Sequence, residues 1–368
     1  MSEFYIGVMS GTSLDGIDIA YCEIKQQSFE LLCSGAYSFD KEVKKEVLKA
    51  INAPTTLKKI GELDMRLGKM YADALERFIS EKKIDKKQIT AIGLHGQTLW
   101  HNPDSDHPFS MQLGDSNIIT ALTGVRVVSD FRRKDIALGG QGAPFAPAFH
   151  QYVFSRLKAK IAVVNIGGMA NLSILGENLT GYDTGCGNVL MDYWVSLHNS
   201  ATFDEDGRWA KSGTPNNELL QQMLSEPYFS KKAPKSTGRE LFNKTWLERQ
   251  LEIFMQKKGG TLHIKNRDMQ ATLLELTVSS IANEVRKNEV TLLIVCGGGV
   301  KNGYLMQRLA DELRGVEVAS SDECGVSSKF MEAMAFAWLA HERVHKNCVK
   351  LSSVTGASKD SLLGAIYE

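Results

Sequence analysis

Phe4-Tyr-Ile-Gly-Val-Met-Ser-Gly-Thr-Ser-Leu-Asp-Gly-Ile-Asp-Ile-Ala-Tyr21 is an apolar run, a turn of small, hydroxyl and acidic residues, and a second apolar run. Ile17, Ile19 and Tyr21 fall on one face of the second run, as the period of two in a strand requires. The turn holds Ser10, Gly11, Thr12, Ser13, Asp15 and Gly16, so backbone N–H groups and hydroxyls converge in a small concavity. Such nests bind anions, phosphate among them. Gly, Ser and Asp also dominate ordinary hairpin turns. The segment alone admits both readings.

The same grammar returns near residue 150. Ile161-Ala-Val-Val-Asn-Ile166 reads as a buried strand, Gly167-Gly-Met-Ala-Asn171 as a turn, and Leu172 to Leu175 as a new strand. In the first half, Phe29 to Phe39 predicts a third strand, and Thr90 to His95 a short one. Between them Ile60, Leu63, Leu67, Met70, Tyr71, Leu75 and Phe78 recur at helical spacing. In the second half a helix is expected from Met269 to Val285, a strand over Leu292–Cys296, a helix from about Asn302, and another over Phe330 to His341. No Pro-rich or Ser-rich linker separates the halves. The expectation is two α/β lobes, each opening on a phosphate-type hairpin, facing one another across a cleft.

Bulk composition narrows the partners. The 368 residues fit roughly two domains. Lys plus Arg equals Asp plus Glu at 43 each, with no long run of one sign. That argues against a nucleic acid or a membrane bound through bulk charge. Hydrophobic content of 43% and charged content of 23% are ordinary for a soluble chain. The start lacks a basic n-region and no run approaches the ~20 apolar residues of a spanning helix. The six cysteines are scattered without a CxxC pair, which suits reduced thiols in a cytoplasmic protein.

Four Gly-rich corners end apolar strands: Ser10 to Gly16, Gly167-Gly168, Gly185 to Asn188, and Gly297 to Gly299 within Val295-Cys-Gly-Gly-Gly-Val-Lys-Asn302. Glycine there lets backbone approach a ligand. No GxxxxGK[ST] and no complete GxGxxG is present, which disfavours a P-loop enzyme or a Rossmann dehydrogenase. Asp183-Thr-Gly185 occurs once, which argues against a two-carboxylate protease dyad. Asp183 is instead a candidate lone general base, with a turn or capping acid as the bland alternative. His95, Gln97 and Thr98, then Arg132, then Gly142 in Gly139-Gly-Gln-Gly-Ala-Pro144, place polar groups after apolar runs. They read as the polar wall of a ligand site, in which Arg suits a carboxylate. His341-Glu-Arg-Val-His345 matches HExxH. With Arg343 inside it, and only Asp360 and Glu368 as later acids, it reads as an accident of a helix end.

The chain resembles the anhydro-N-acetylmuramic acid kinases, of the sugar kinase/Hsp70/actin superfamily of two-lobed ATP enzymes. The resemblance runs nearly the whole length. It rests on Gly7-Val-Met-Ser-Gly-Thr-Ser-Leu-Asp-Gly-Ile-Asp18, His95-Gly-Gln-Thr98, Asp130-Phe-Arg132, Gly139 to Pro144, Asn165 to Asn171, Asp183-Thr-Gly185, Gly297 to Gly299 and Glu332-Ala-Met-Ala-Phe-Ala-Trp-Leu339. Two positions depart from the family: Cys186 where proline usually follows Asp-Thr-Gly, and Leu94 where serine commonly precedes His-Gly-Gln.

The resemblance implies an actin-like fold of duplicated ribonuclease H-like domains with a central cleft. The lobes would span 1–150 and 151–349, with the tail 350–368 rejoining the first. It implies ATP-dependent opening of 1,6-anhydro-N-acetylmuramic acid and phosphorylation of O6 in cell-wall recycling. Asp183 would take a proton from water, Glu332 would hold the sugar or manage protons, and Arg132 would meet the substrate with His95, Gln97, Thr98 and Gly142. ATP would be held by Ser10, Gly11, Thr12, Ser13, Leu14, Asp15, Gly16, Ile17 and Asp18, by Gly167, Gly168 and Asn171, and by Gly297, Gly298, Gly299 and Asn302. Asp18 is the candidate Mg²⁺ ligand. A homodimer is compatible with this reading. An ordinary sugar kinase, a non-kinase ATP-driven switch and a metallopeptidase are the alternatives.

Overall fold

The computed structural model describes residues 2–11, 14–25, 28–259 and 264–368. These divide into two compact units, 1–153 with 330–368, and 154–329.

The first unit begins as an antiparallel meander of β1 (Glu3–Met9), β2 (Ile17–Lys25) and β3 (Ser28–Tyr37). β4 (Ile89–Leu94) then pairs parallel with β1, and β7 (Val127–Ser129) parallel with β4. Between those two strands the chain makes a separate hairpin, β5 (Gln97–Asn102) with β6 (Phe109–Leu113). On β1, Ile6 and Val8 join Ile17, Ile19 and Tyr21 in a core closed by Leu63, Leu67, Tyr71, Leu75 and Phe78 of the helix Leu57–Lys82. A strand covered on both faces needs a continuous apolar run, which is how residues 4–9 read.

The second unit repeats the plan. β8 (Ile161–Ile166), β9 (Met169–Ile174) and β10 (Thr180–Cys186) form an antiparallel meander. β11 (Leu292–Cys296) pairs parallel with β8, and β12 (Glu317–Ser320) parallel with β11. Both sheets therefore run third-second-first-fourth-fifth in strand order, with the first three antiparallel and the last two parallel. That is the ribonuclease H-like arrangement, present twice, as in the actin-like ATPases. The second core gathers Val164, Ile166 and Leu172 with Leu273, Leu274 and Ile281 of the helix Asn266–Lys287.

The chain then returns to the first unit. β13 (Ala365–Tyr367) pairs antiparallel with β7, and the helix Met331–Val344 packs on β1, β2 and β4. The division expected at 349 thus falls at 329. The reason lies in two glycines paired across the first sheet, Gly7 and Gly93. A Cβ on Gly7 would lie 1.8 Å from the Ala333 carbonyl oxygen, and one on Gly93 1.9 Å from that of Phe336. Only bare backbone admits this helix, and it belongs to the sheet that carries those glycines. Among the described residues no helix is long and apolar enough to cross a membrane.

Candidate active site

In the first unit the hairpin joining β1 to β2 is tied down at its start. Ser10, buried, donates from Oγ to Gln97 Oε1 at 3.0 Å, so its 2.6 Å contact with Tyr71 is an O–H of Tyr71 donating to it. Gln97 Nε2 reaches the Gly11 carbonyl at 3.5 Å. Gln97, a candidate sugar-binding residue, thereby also holds the hairpin. Leu14 and Ile17 bury their side chains in the core, so only their backbone can face a ligand. Leu14 lies in the left-handed region at φ 55°, closing a turn on the Gly11 carbonyl. Asp15 is exposed, 3.6 Å from Lys44. A Cβ on Gly16 would press on the Tyr37 carbonyl at 2.8 Å. Asp18 sits opposite Met9 where the ladder begins. Thr12 and Ser13 lie outside the described residues.

Beside it lies a polar cluster centred on Arg132. Its Nη1 donates to the Gly142 carbonyl at 2.8 Å and its Nη2 to His95 Nε2 at 2.9 Å. Arginine always donates, so His95 is the neutral tautomer protonated at Nδ1. Burial, and then the charge of Arg132, push its pKa down to about 3. Burial likewise lowers Arg132 to about 10, against the pull of Glu332, so it stays charged at neutral pH. The guanidinium lies 5.3 Å from the Phe145 ring centre. Gly142, at φ 66°, donates its N–H to Asp135 at 2.7 Å, and Thr355 donates to the other Asp135 oxygen at 2.8 Å. The C-terminal segment thus buttresses the Gly-rich loop. Thr98 accepts from Gln112 at 3.3 Å.

Glu332 stands in the first turn of the helix Met331–Val344, aimed by the Gly7 and Gly93 packing. Its side chain reaches solvent, yet enough protein surrounds it to matter electrostatically. Its carboxyl is raised above the ordinary range, by burial first and by repulsion from Asp18 second, while Arg132 pulls the other way.

In the second unit Asp183 lies at a bulge in β10. Its Oδ2 accepts from the Thr237 N–H at 2.9 Å and the Ser236 hydroxyl at 3.0 Å. Its backbone is fixed by Tyr228, which donates to its carbonyl at 2.8 Å. Burial raises the carboxyl pKa, the bonds from Thr237 and Ser236 lower it, and the net direction is up. The loop that supplies those donors is anchored by Lys235, whose ammonium donates to Glu284 at 2.9 Å with both side chains largely buried. Cys186, the departure from the family pattern, is buried, and its carbonyl accepts from Thr277 at 3.2 Å. The hydroxyl side chain supports the turn that a proline would have stiffened.

The second hairpin, Gly167-Gly168, is latched to the start of the helix Val189–His198. Gly187 N–H donates to the Gly168 carbonyl and Asn188 N–H to that of Gly167, each at 2.8 Å. Gly297, at φ 79°, packs against it so closely that a Cβ would lie 2.2 Å from Asn165 Oδ1; Gly299 would meet Ile166 at 2.5 Å. Gly298 is open, with Asn188 3.9 Å from the place a Cβ would take. So Gly167, Gly168, Gly297, Gly298 and Gly299 converge, joined by the side chains of Asn165 and Asn188, to which the sequence alone assigns no ligand role. Asn302 stands at the start of the next helix. Its side chain caps the helix Gly303–Glu312 by accepting from the Leu305 N–H at 2.9 Å. Asn171 pairs with Asn165 across the β8–β9 ladder.

Comparison with known proteins identifies the family. A family model described as anhydro-N-acetylmuramic acid kinase matches residues 3–368. A protein of that name from Sulfurimonas denitrificans is 67% identical over 368 residues, covering 100% of both chains. Namesakes from Sulfurovum sp. and Pasteurella multocida are 50% and 46% identical, each covering 99% of this chain and 99% and 96% of their own.

Proposed function

This chain belongs to the anhydro-N-acetylmuramic acid kinase family, and from that premise we propose the reaction and the residues that carry it. ATP, water and 1,6-anhydro-N-acetylmuramic acid give N-acetylmuramic acid 6-phosphate and ADP. The observation that carries the mechanism is the environment of Asp183. One oxygen is fixed by two donors, and burial makes the carboxylate a stronger base than an exposed aspartate.

Asp183 takes a proton from a water that attacks the anomeric carbon. The bond from that carbon to O6 breaks, O6 carries the electron pair to the γ-phosphorus, and ADP leaves. Arg132, charged and clamped between His95 and Gly142, meets the carboxylate of the sugar, while Glu332 and Thr98 bind its polar groups. The hairpin 10–18 and the corners at Gly167-Gly168 and Gly297–Gly299 supply backbone N–H groups for the nucleotide phosphates. Asp18 is a fitting Mg²⁺ ligand, because its carboxylate lies near enough to Glu332 to raise that group's pKa, and paired hard oxygens suit a hard dication. Such an ion supplies neutralisation of phosphate charge.

The test is the mass of the product formed in ¹⁸O-water. It should equal substrate plus phosphoryl plus one water, with label on the anomeric oxygen. An unlabelled product with its bridge intact would mean an ordinary sugar kinase. Arg132→Lys should lower kcat/KM about 10–100-fold, because a lysine keeps the charge but cannot hold both His95 and Gly142. A steady-state comparison at saturating ATP measures it, and an unchanged kcat/KM would remove Arg132 from the substrate site.

A further inference from the structure

Glu332 opens the helix Met331–Val344; its far end carries another group of side chains. His341 and His345 are four positions apart, about one helical turn, and their rings lie 4.4 Å from centre to centre. Glu3, the first residue of β1, comes up beside them, with Oε2 2.8 Å from His345 Nε2. One ligand atom from each of Glu3, His341 and His345 lies within 4.8 Å of the other two. Ligands about 2.0–2.2 Å from a tetrahedral ion stand roughly 3.3–3.6 Å apart, so small side-chain adjustments bring all three onto one centre. The spacing of the histidines alone reads as an accident of a helix end. The third ligand comes from the opposite end of the chain, where no local motif points to it.

The surroundings orient the three groups. His341 Nδ1 lies 2.8 Å from the Glu342 carboxylate, which accepts its N–H and leaves the Nε2 lone pair to give. A carboxylate behind a ligating histidine fixes its tautomer and raises its basicity. Tyr5 donates to Glu3 Oε2 at 2.6 Å and so holds the acid in place. Arg343, the charge that spoils the motif on paper, turns away and donates to the Gly364 carbonyl at 2.8 Å. The nearby Arg126 is paired with Glu368 at 2.5 Å. Two imidazoles and one carboxylate suit a borderline transition-metal dication, not Mg²⁺ or Ca²⁺, which favour all-oxygen sets.

We propose that Glu3, His341 and His345 form a binding site for a dication of the Zn²⁺ class, which staples the start of β1 to the end of the helix whose other end carries Glu332. Glu332 and His341 are nine positions apart on the helix, about 14 Å along the axis, so the site is distinct from the groups assigned to catalysis. Glu342 acts there on a ligand, not on a water, and the site is structural.

The experiment uses the whole chain without a tag, Zn²⁺ alone in equilibrium dialysis, and Co²⁺ followed by its visible absorption. About one ion per chain is expected, with a tetrahedral-type Co²⁺ spectrum and a melting temperature that rises with Zn²⁺. His341→Gln/His345→Gln and Glu3→Gln should lose the spectrum and the melting shift. Glu342→Gln should weaken binding about 10–100-fold, and the exposed His107→Gln should match wild type. Turnover without added Zn²⁺ should be unchanged in His345→Gln. Equal Zn²⁺ binding by wild type and the double His variant would overturn the proposal. So would the absence of stoichiometric binding by wild type.

Discussion

Asp183→Asn should lower kcat by about 10²–10⁴-fold, the span of a lost general base, while ATP binding persists. The amide keeps the shape of the carboxylate and its place beside Ser236 and Thr237, so the loss reads as chemistry. Its pH signature follows from the same environment. A base works deprotonated, so turnover is present above its pKa and is lost as pH falls through it. Burial raises that pKa, and the acidic limb of kcat/KM should stand above the 3.8 of an ordinary aspartate. Ser236 pulls the pKa down through its hydrogen bond, and Ser236→Ala should move the limb further up. Calorimetry with a non-hydrolysable ATP analogue checks the binding arm. An Asp183→Asn enzyme with wild-type kcat would remove Asp183 from the mechanism.

Gly7→Ala and Gly93→Ala should each cost about 3 kcal/mol or more, at the upper edge of what overpacking usually brings. The new methyl meets the carbonyl of Ala333 or Phe336, and backbone inside a helix cannot rotate aside. The helix must lift from the sheet and take Glu332 with it. Urea unfolding should show the loss as a lower midpoint, and the folded remainder should turn over slowly. Gly61→Ala is the contrast. It lies in the exposed face of the helix Leu57–Lys82 with nothing within 4 Å of its Cβ position, and should stabilise by about 0.5–1 kcal/mol. A Gly7→Ala midpoint equal to wild type would contradict the packing described.

Some of this architecture is legible in the chain because local signals and tertiary structure agree. Leu292–Cys296 and Ile161–Ile166 are unbroken apolar runs and become central strands. The stripe from Leu63 to Phe78 becomes the buried face of one helix. Other features carry no local signal. β7 and β13 have three residues each, too few for periodicity to show. Ser236 and Thr237 sit in a polar loop, and only the folded chain sets them against Asp183. Gln97 and Asn302 look like ligand groups because they follow or flank glycines; their amides are engaged with Ser10 and the Leu305 N–H. The helix Met331–Val344 follows the second unit in sequence yet belongs to the first. Which sheet a helix covers is decided by where it fits, and Gly7 and Gly93 decide it.

That helix also sets an order of events in synthesis. The first unit is begun at residue 1, but its sheet face at Gly7 and Gly93 stays bare until 330–368 have been made. The second unit, continuous from 154 to 329, is complete before then. On the ribosome the unit started first is finished last. Its uncovered strands are the part of the nascent chain most in need of protection from wrong partners.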